Sequence, residues 1–185
     1  MPKIKPIIET HYELFKWNEI WRNLSSVFIM VNEREILYKY LHEILPTNKR
    51  LRDIRSIVSP LCEYCTEEES NIHFVYQCQR HTEVIQWLKS TLQKYCELSN
   101  PKMIELCFLQ VPKLSKKAKN TTLILISTFI VSMWLVRKSN MSPTAYKRFI
   151  KGKVLNKQRM YKYILGENME NLLTRNFCNM KATEF

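Results

Sequence analysis

The chain of 185 residues is 45% hydrophobic and 11% aromatic, enough to bury one ordinary core and too apolar for global disorder. Its two glycines argue for helices and against tight-hairpin sheets and phosphate-cradling loops. The formal net charge of +12 is concentrated: between Glu105 and Glu167 there are thirteen basic residues and no acidic one, while sixteen basic and seventeen acidic residues share the rest of the chain.

In chain order, residues 1–12 read as a polar, flexible lead-in, too polar for a secretory signal. Leu14, Trp17, Ile20, Trp21 and Leu24 recur at helical spacing, which makes the two tryptophans core anchors in preference to a base-stacking platform. A longer amphipathic helix is expected from Val27 to Leu45, with Val27, Val31, Leu37, Leu41 and Leu45 on its apolar face. Pro46 ends it, and Thr47 caps a basic helix carrying Lys49, Arg50, Arg52 and Arg55. Beyond residues 59–78, Val84, Trp87, Leu88, Leu92 and Tyr95 define another helix, and Met103 to Leu109 a short one. Val111 to Asn120 reads as a lysine-rich connection. Thr121 to Val136 is the one membrane candidate. Its 16 residues and four hydroxyls fall short of a span, so it is expected to be a buried core helix. Ser142-Pro143 starts a last long helix, with Tyr146, Phe149, Ile150, Val154, Tyr161 and Ile164 on one arc and cations on another. Gly152 is expected to interrupt it, and Lys153 and Lys157 to spoil the apolar arc. From Glu167 a further short helix is expected, fraying by Lys181.

The stretch Ser59 to Cys78 carries the chemistry. Cys62, Cys65, His73 and Cys78 follow a C-x2-C-x7-H-x4-C pattern, and thiolates with a neutral imidazole are the ligands Zn2+ prefers. Four protein ligands leave no open position, which marks a structural metal and not a catalytic one. Ser70 can cap a short helix starting just before His73. Residues five apart do not share an α-helical face, so that helix must bend or end before Cys78, or the ligands must come from a turn. His81 is the lower-ranked alternative to His73. Disulfides and a chance cluster of small buried thiols are the competing readings. Cys96, Cys107 and Cys178 are scattered, so a disulfide framework has little support. The expected setting is intracellular and reducing.

The charge asymmetry points to a polyanion, nucleic acid ahead of a membrane surface, against the alternative of a merely soluble basic face. The candidate contacts are Arg50, Arg52 and Arg55 upstream of the knuckle, and Lys113, Lys116, Lys117, Lys119, Lys147, Arg148, Lys151, Arg159 and Lys162 downstream. There is no GxxxxGK[ST], GxGxxG, HExxH or GxSxG motif, and no carboxylate pair with local spacing suited to acid–base work. His11, His42 and His81 lack an evident nucleophile or base partner. Neither an enzymatic activity nor a small-molecule substrate is expected.

The segment from Arg34 to Trp87 resembles the zinc-binding region C-terminal to the reverse transcriptase domain of non-LTR (LINE-type) retrotransposons. The matching pieces, in order, are Glu35-Ile36-Leu37-Tyr38-Lys39 with Leu41-His42, then Leu45-Pro46-Thr47-Asn48 and Arg50-Leu51. Ser59-Pro60-Leu61-Cys62, Cys65, Glu69-Ser70, His73-Phe74, Cys78 and Trp87 follow, with Trp134 and Arg137 as a weaker downstream match. Asp53 is the only aspartate, so the tyrosine–x–Asp–Asp box of the polymerase has no counterpart. What the resemblance implies is an accessory part that helps engage RNA or DNA in target-primed reverse transcription, with the polymerase domain of a parent element as a further partner.

These readings combine into a mainly α protein, an irregular helical bundle with a small CCHC zinc knuckle. Residues 13–110 form the zinc-binding region and 111–180 a basic helical region packed on it as one domain, with a tail at 181–185. The expected function is non-catalytic, Zn2+-dependent nucleic-acid binding. A zinc-stabilised protein-interaction module or an adopted relic without polymerase activity is the alternative.

Overall fold

Seven α-helices are present among the described residues: α1 (Trp17–Leu24), α2 (Val31–Leu41), α3 (Asn48–Asp53), α4 (Thr82–Tyr95), α5 (Met103–Cys107), α6 (Lys116–Leu135) and α7 (Pro143–Leu165). The computed structural model describes residues 15–56, 59–96, 98–165, 173 and 175. The expected lead-in, Leu14, nearly all of the helix expected from Glu167 and the whole tail at 181–185 lie outside them. Among the described residues there is no β-strand, only an isolated antiparallel bridge between Leu61 and Glu68.

Helix α6 is the central element. Ala118 and every residue from Thr121 to Met133 are buried. A helix apolar all round has no face to offer water and is stable only when surrounded. The surroundings are α7, α2, α4, α5 and the segment His73–Gln77. Three of its hydroxyls turn inward to their own backbone: Thr121 and Thr122 donate to the carbonyls of Lys117 and Ala118 at 3.0 and 2.8 Å, and Ser127 to that of Ile124 at 3.2 Å. By length and composition α6 is able to cross a membrane, but 83% of its most apolar window is buried by the rest of the chain.

Several expectations are corrected in detail. The helix expected over 27–45 is confined to Val31–Leu41, because Met30 is extended and its N–H is taken by the Glu33 carboxylate at 3.1 Å. Val27 and Val31 are therefore solvent-exposed, not part of the apolar face. The lysine-rich connection is half helix: the Ser115 hydroxyl accepts the Ala118 N–H at 3.2 Å and starts α6 at Lys116. Gly152 does not interrupt α7, which runs unbroken through it. Lys157 does not spoil the apolar arc. It is buried, its ammonium 2.6 Å from Glu33 and 3.2 Å from the Ser127 hydroxyl. Trp17 and Trp21 pack against the core from its edge, half-buried.

Glycine scarcity leaves a visible trace at helix ends. After α2, α3 and α5 the chain reverses through a left-handed residue: Glu43 (φ 55°), Arg55 (φ 58°) and Leu109 (φ 59°). In each case the next N–H reaches back to close a Schellman motif: Ile44 to the Lys39 carbonyl at 2.9 Å, Ser56 to Leu51 at 2.8 Å, and Gln110 to Glu105 at 3.0 Å. The position normally given to glycine is filled three times by a residue with a Cβ.

Candidate metal centre and basic face

The knuckle begins with Pro60 and folds back on itself. The Cys62 N–H donates to the Glu67 carbonyl at 2.9 Å and the Glu69 N–H to the Pro60 carbonyl at 2.8 Å. Within this loop the Tyr64 N–H points at Cys62 Sγ at 3.5 Å, so the turn brings both Cys62 and Cys65 to one side. The second half starts where expected, with the Ser70 hydroxyl accepting the His73 N–H at 3.1 Å. His73–Gln77 is then a single π-helical turn, and the Cys78 N–H bonds to the His73 carbonyl at 2.8 Å. Bonding five residues back widens the turn, so His73 and Cys78 come nearly in line where an α-helix would splay them. Cys78 itself is extended and ends the turn.

The four ligand atoms lie within 4.8 Å of one another. Cys62 and Cys65 Sγ are each 4.0 Å from Cys78 Sγ, and Cys65 Sγ is 3.2 Å from His73 Nε2. A tetrahedron with ~2.3 Å metal–sulfur and ~2.0 Å metal–nitrogen bonds has edges of about 3.5–3.8 Å, so the group has the size of a single-ion site. It can hold a metal ion. His73, not His81, completes it. His81 instead packs edge-on against Tyr146 at 5.4 Å.

The electrostatics favour the same conclusion. Burial lowers the His73 pKa against the opposing pull of Glu69 and Glu67, keeping the ring neutral with a free lone pair. Burial first, then the neighbouring Cys62 and Cys65, push the Cys78 thiol up to about 12, opposed by a backbone hydrogen bond at Arg80. The Cys65 thiol is likewise raised, first by burial, and a divalent ion at the centre of the cluster would reverse that preference.

A second cluster locks the knuckle to the core. Glu69 is buried and receives Arg137 through both of its oxygens, from Nε at 2.7 Å and from Nη2. Arg137 also donates to the Pro46 carbonyl at 3.1 Å and the Asn48 side-chain oxygen at 3.2 Å, and lies over the Trp134 ring at 5.0 Å. Asn48 returns a backbone N–H to Glu69 at 2.9 Å and its amide to the Leu61 carbonyl at 2.6 Å. Beside it, Arg80 stacks on Tyr64 at 3.7 Å and donates to the carbonyls of Arg137 and Ser139, just past the end of α6. Nothing in the local sequence separates Glu69 from its acidic neighbours Glu67 and Glu68. The signal that separates Glu69 from its neighbours is its place in the quoted motif, together with Trp134 and Arg137.

The candidate nucleic-acid contacts divide into three groups. Arg55, Lys113, Lys116, Lys117, Arg148, Arg159 and Lys162 are exposed. Arg52 pairs with Asp53 at 2.8 Å and Glu68 at 3.1 Å, Lys119 with Glu19 at 3.9 Å, and Lys147 with Glu83 at 3.3 Å. Arg50 and Lys151 are half-buried. No single patch gathers them all. Arg148, Lys151, Arg159 and Lys162 do share one face of α7, while Lys113, Lys116 and Lys117 stand at the start of α6. Comparison with family models, curated proteins and solved structures returns no match.

Proposed function

We propose that the chain is a non-catalytic nucleic-acid-binding module whose Cys62, Cys65, His73 and Cys78 hold a structural Zn2+. Its fold and role are read as those of the region C-terminal to a non-LTR reverse transcriptase domain. The observation that carries this reading is a division of labour: all four candidate ligands are consumed within the knuckle, while the acid-free half of the chain presents Arg148, Arg159 and Lys162 outward on α7 and Lys113, Lys116 and Lys117 at the head of α6. Support for the family reading comes from Pro46, Asn48, Glu69, Trp134 and Arg137, which are dispersed in the sequence and meet in one interlocked cluster. Zinc supplies no reactive chemistry here. It replaces part of a core that residues 59–81 are too polar to build, so its binding energy is folding energy.

Contacts through lysine and arginine to phosphates are weakly sequence-specific and strongly salt-dependent. Titration of fluorescent RNA and duplex DNA by the reduced, zinc-loaded protein tests this reading. Binding at 50 mM salt that weakens steeply by 200 mM is expected, and no detectable binding at 50 mM to either refutes it. Elemental analysis is expected to give one zinc per chain, and chelation to loosen residues 59–81 in hydrogen exchange. Protein purified reduced without zinc would overturn the metal assignment alone. A second reading, a protein-docking module, draws on a cleft of about 260 Å³ walled by Met30, Ile36, Val131, Leu135 and Met160. A pull-down that survives nuclease treatment and is lost on filling that cleft would favour it.

A further inference from the structure

Gly152 sits ten residues into the 23-residue helix α7, where glycine is the poorest residue after proline. Nothing in the fold requires it. A Cβ built there would meet no atom within 4 Å, and the helix runs through it without a break. In a chain that forgoes glycine even at three left-handed helix ends, one of only two glycines is placed where a side chain would fit and would stabilise. An exposed glycine with no internal reason for being there allows the close approach of something outside.

Its neighbours indicate what approaches. Arg148, Lys151, Leu155, Arg159 and Lys162 recur with Gly152 on one face of α7. Arg148 and Arg159 are separated by three full turns, about 16 Å along the axis, as are Lys151 and Lys162. Gly152 lies between the two pairs of cations. Among the described residues, the acids that pair with α7, Glu33 from α2 and Glu83 from α4, are occupied by Lys157 and Lys147. Within the row, Lys151 is disfavoured as a cation first by burial and then by Lys147 and Arg148, a crowding of like charge that an incoming polyanion relieves. Around Gly152 the face carries no exposed ring on which a base could stack; Tyr163 stands at the far end of the row, beside Lys162. Tyr163, 91% exposed, lies eleven residues from Gly152, too far to stack a base there. A rigid line of separated cations with no stacking surface at its centre suits phosphates held at fixed spacing, as in a duplex.

We propose that a nucleic-acid duplex docks on this face of α7, with one phosphodiester strand crossing the helix at Gly152 between the Arg148/Lys151 and Arg159/Lys162 pairs. The proposal rests on the nucleic-acid reading above and specifies its contact surface. The glycine lets the strand approach the helix backbone, and the flanking cations grip the phosphates on either side.

The test uses the full zinc-loaded chain, a fluorescent 20-base-pair duplex and a single strand of equal length, with Gly152→Ala, Gly152→Leu and Arg148→Gln/Arg159→Gln variants. Gly152→Ala is expected to raise Tm by about 2–4 °C while weakening duplex binding at least threefold, and Gly152→Leu to weaken it at least tenfold. Stability and affinity moving in opposite directions is a result that a merely structural glycine does not give. The arginine pair is expected to flatten the salt dependence by a slope of about 2. If the wild type binds duplex and both glycine variants bind equally well, the contact surface is wrong and the nucleic-acid reading survives. Tighter binding of the single strand, insensitive to Gly152, also refutes the proposal. A wild type that binds neither probe removes the functional reading itself.

Discussion

Removal of Arg137 probes the junction between the knuckle and the core. Arg137→Ala strips a buried carboxylate of both its guanidinium bonds, and the Pro46 carbonyl and Asn48 side chain of one bond each. With side-chain exposures of 9% and 8%, neither Arg137 nor Glu69 can turn to water for compensation. Breaking a buried pair from one side typically costs about 3–5 kcal/mol, because the remaining charge is left desolvated. For a chain of this size that corresponds to a Tm loss of roughly 6–20 °C, at 2–4 °C per kcal/mol. Arg137→Lys restores the charge but not the two-pronged geometry and is expected to recover only part of the loss. Urea denaturation of zinc-loaded protein gives the comparison, with Glu69→Gln and the double variant Glu69→Gln/Arg137→Met completing a cycle. The double variant is expected to lose less than the sum of the singles, because no unpaired charge remains. A loss below 1 kcal/mol for Arg137→Ala, or strictly additive singles, would show that the pair is a surface ornament and that the knuckle is held by the metal alone.

Arg55→Gly is expected to raise stability by roughly 0.5–1 kcal/mol, since it relieves a left-handed residue with an exposed side chain, while Leu109→Gly at the same backbone angle is expected to lower it, because Leu109 is fully buried. Thermal melts of the two variants must move in opposite directions. Lys157→Met alone leaves Glu33 charged and buried and is expected to cost about 3–5 kcal/mol, whereas Glu33→Gln/Lys157→Met is expected to lie much closer to wild type, as measured by denaturant unfolding. Burial, then Arg80 and His73, pull the His81 pKa down to about 4 from its ordinary 6.5, so the folded chain refuses a proton that the unfolded chain accepts. That histidine's contribution is whole above pH 6.5 and is lost as pH falls towards 4, by about 3 kcal/mol; the difference between the wild-type and His81→Phe stability profiles isolates it from the acid sensitivity of the metal ligands.

The helical class, the core role of α6 and the convergence of Cys62, Cys65, His73 and Cys78 were legible because each rests on a local regularity: an apolar period, a cap residue, or a ligand spacing within one short segment. What was not legible is tertiary. Val27 and Val31 continue the apolar period of α2 on paper, but the Glu33 carboxylate caps the helix at Met30 and turns both outward. Lys157 breaks the apolar arc of α7 in sequence, yet it is buried because Glu33 arrives from another helix to neutralise it. Glu69 reads like its acidic neighbours until Arg137, from the far end of α6, selects it. The spacing of His73 and Cys78 raised a geometric objection to a shared α-helical face, and the single π-turn answers it.

The placement of the staple follows from the charge distribution. Helices α6 and α7 contain no acidic residue, so the helical hairpin they form cannot neutralise itself. Its internal compensation is borrowed from elsewhere: Glu19 from α1 for Lys119, Glu33 from α2 for Lys157, Glu83 from α4 for Lys147, and Glu69 from the knuckle for Arg137. Only the last of these carboxylates lies outside a helix, in the loop that precedes the buried Ile72, Phe74 and Val75. A loop of this length cannot hold a buried carboxylate in a fixed direction by its own packing, because the loop's conformational entropy opposes it. Closing it at four points on one ion, as the convergence of Cys62, Cys65, His73 and Cys78 allows, would remove most of that freedom and present Glu69 to Arg137 with its geometry set. A metal ion held at these four residues would thus be coupled to the end of α6 through one ion pair: its loss would free Glu69, and loss of Glu69 would leave the Arg137 guanidinium buried without its counter-charge.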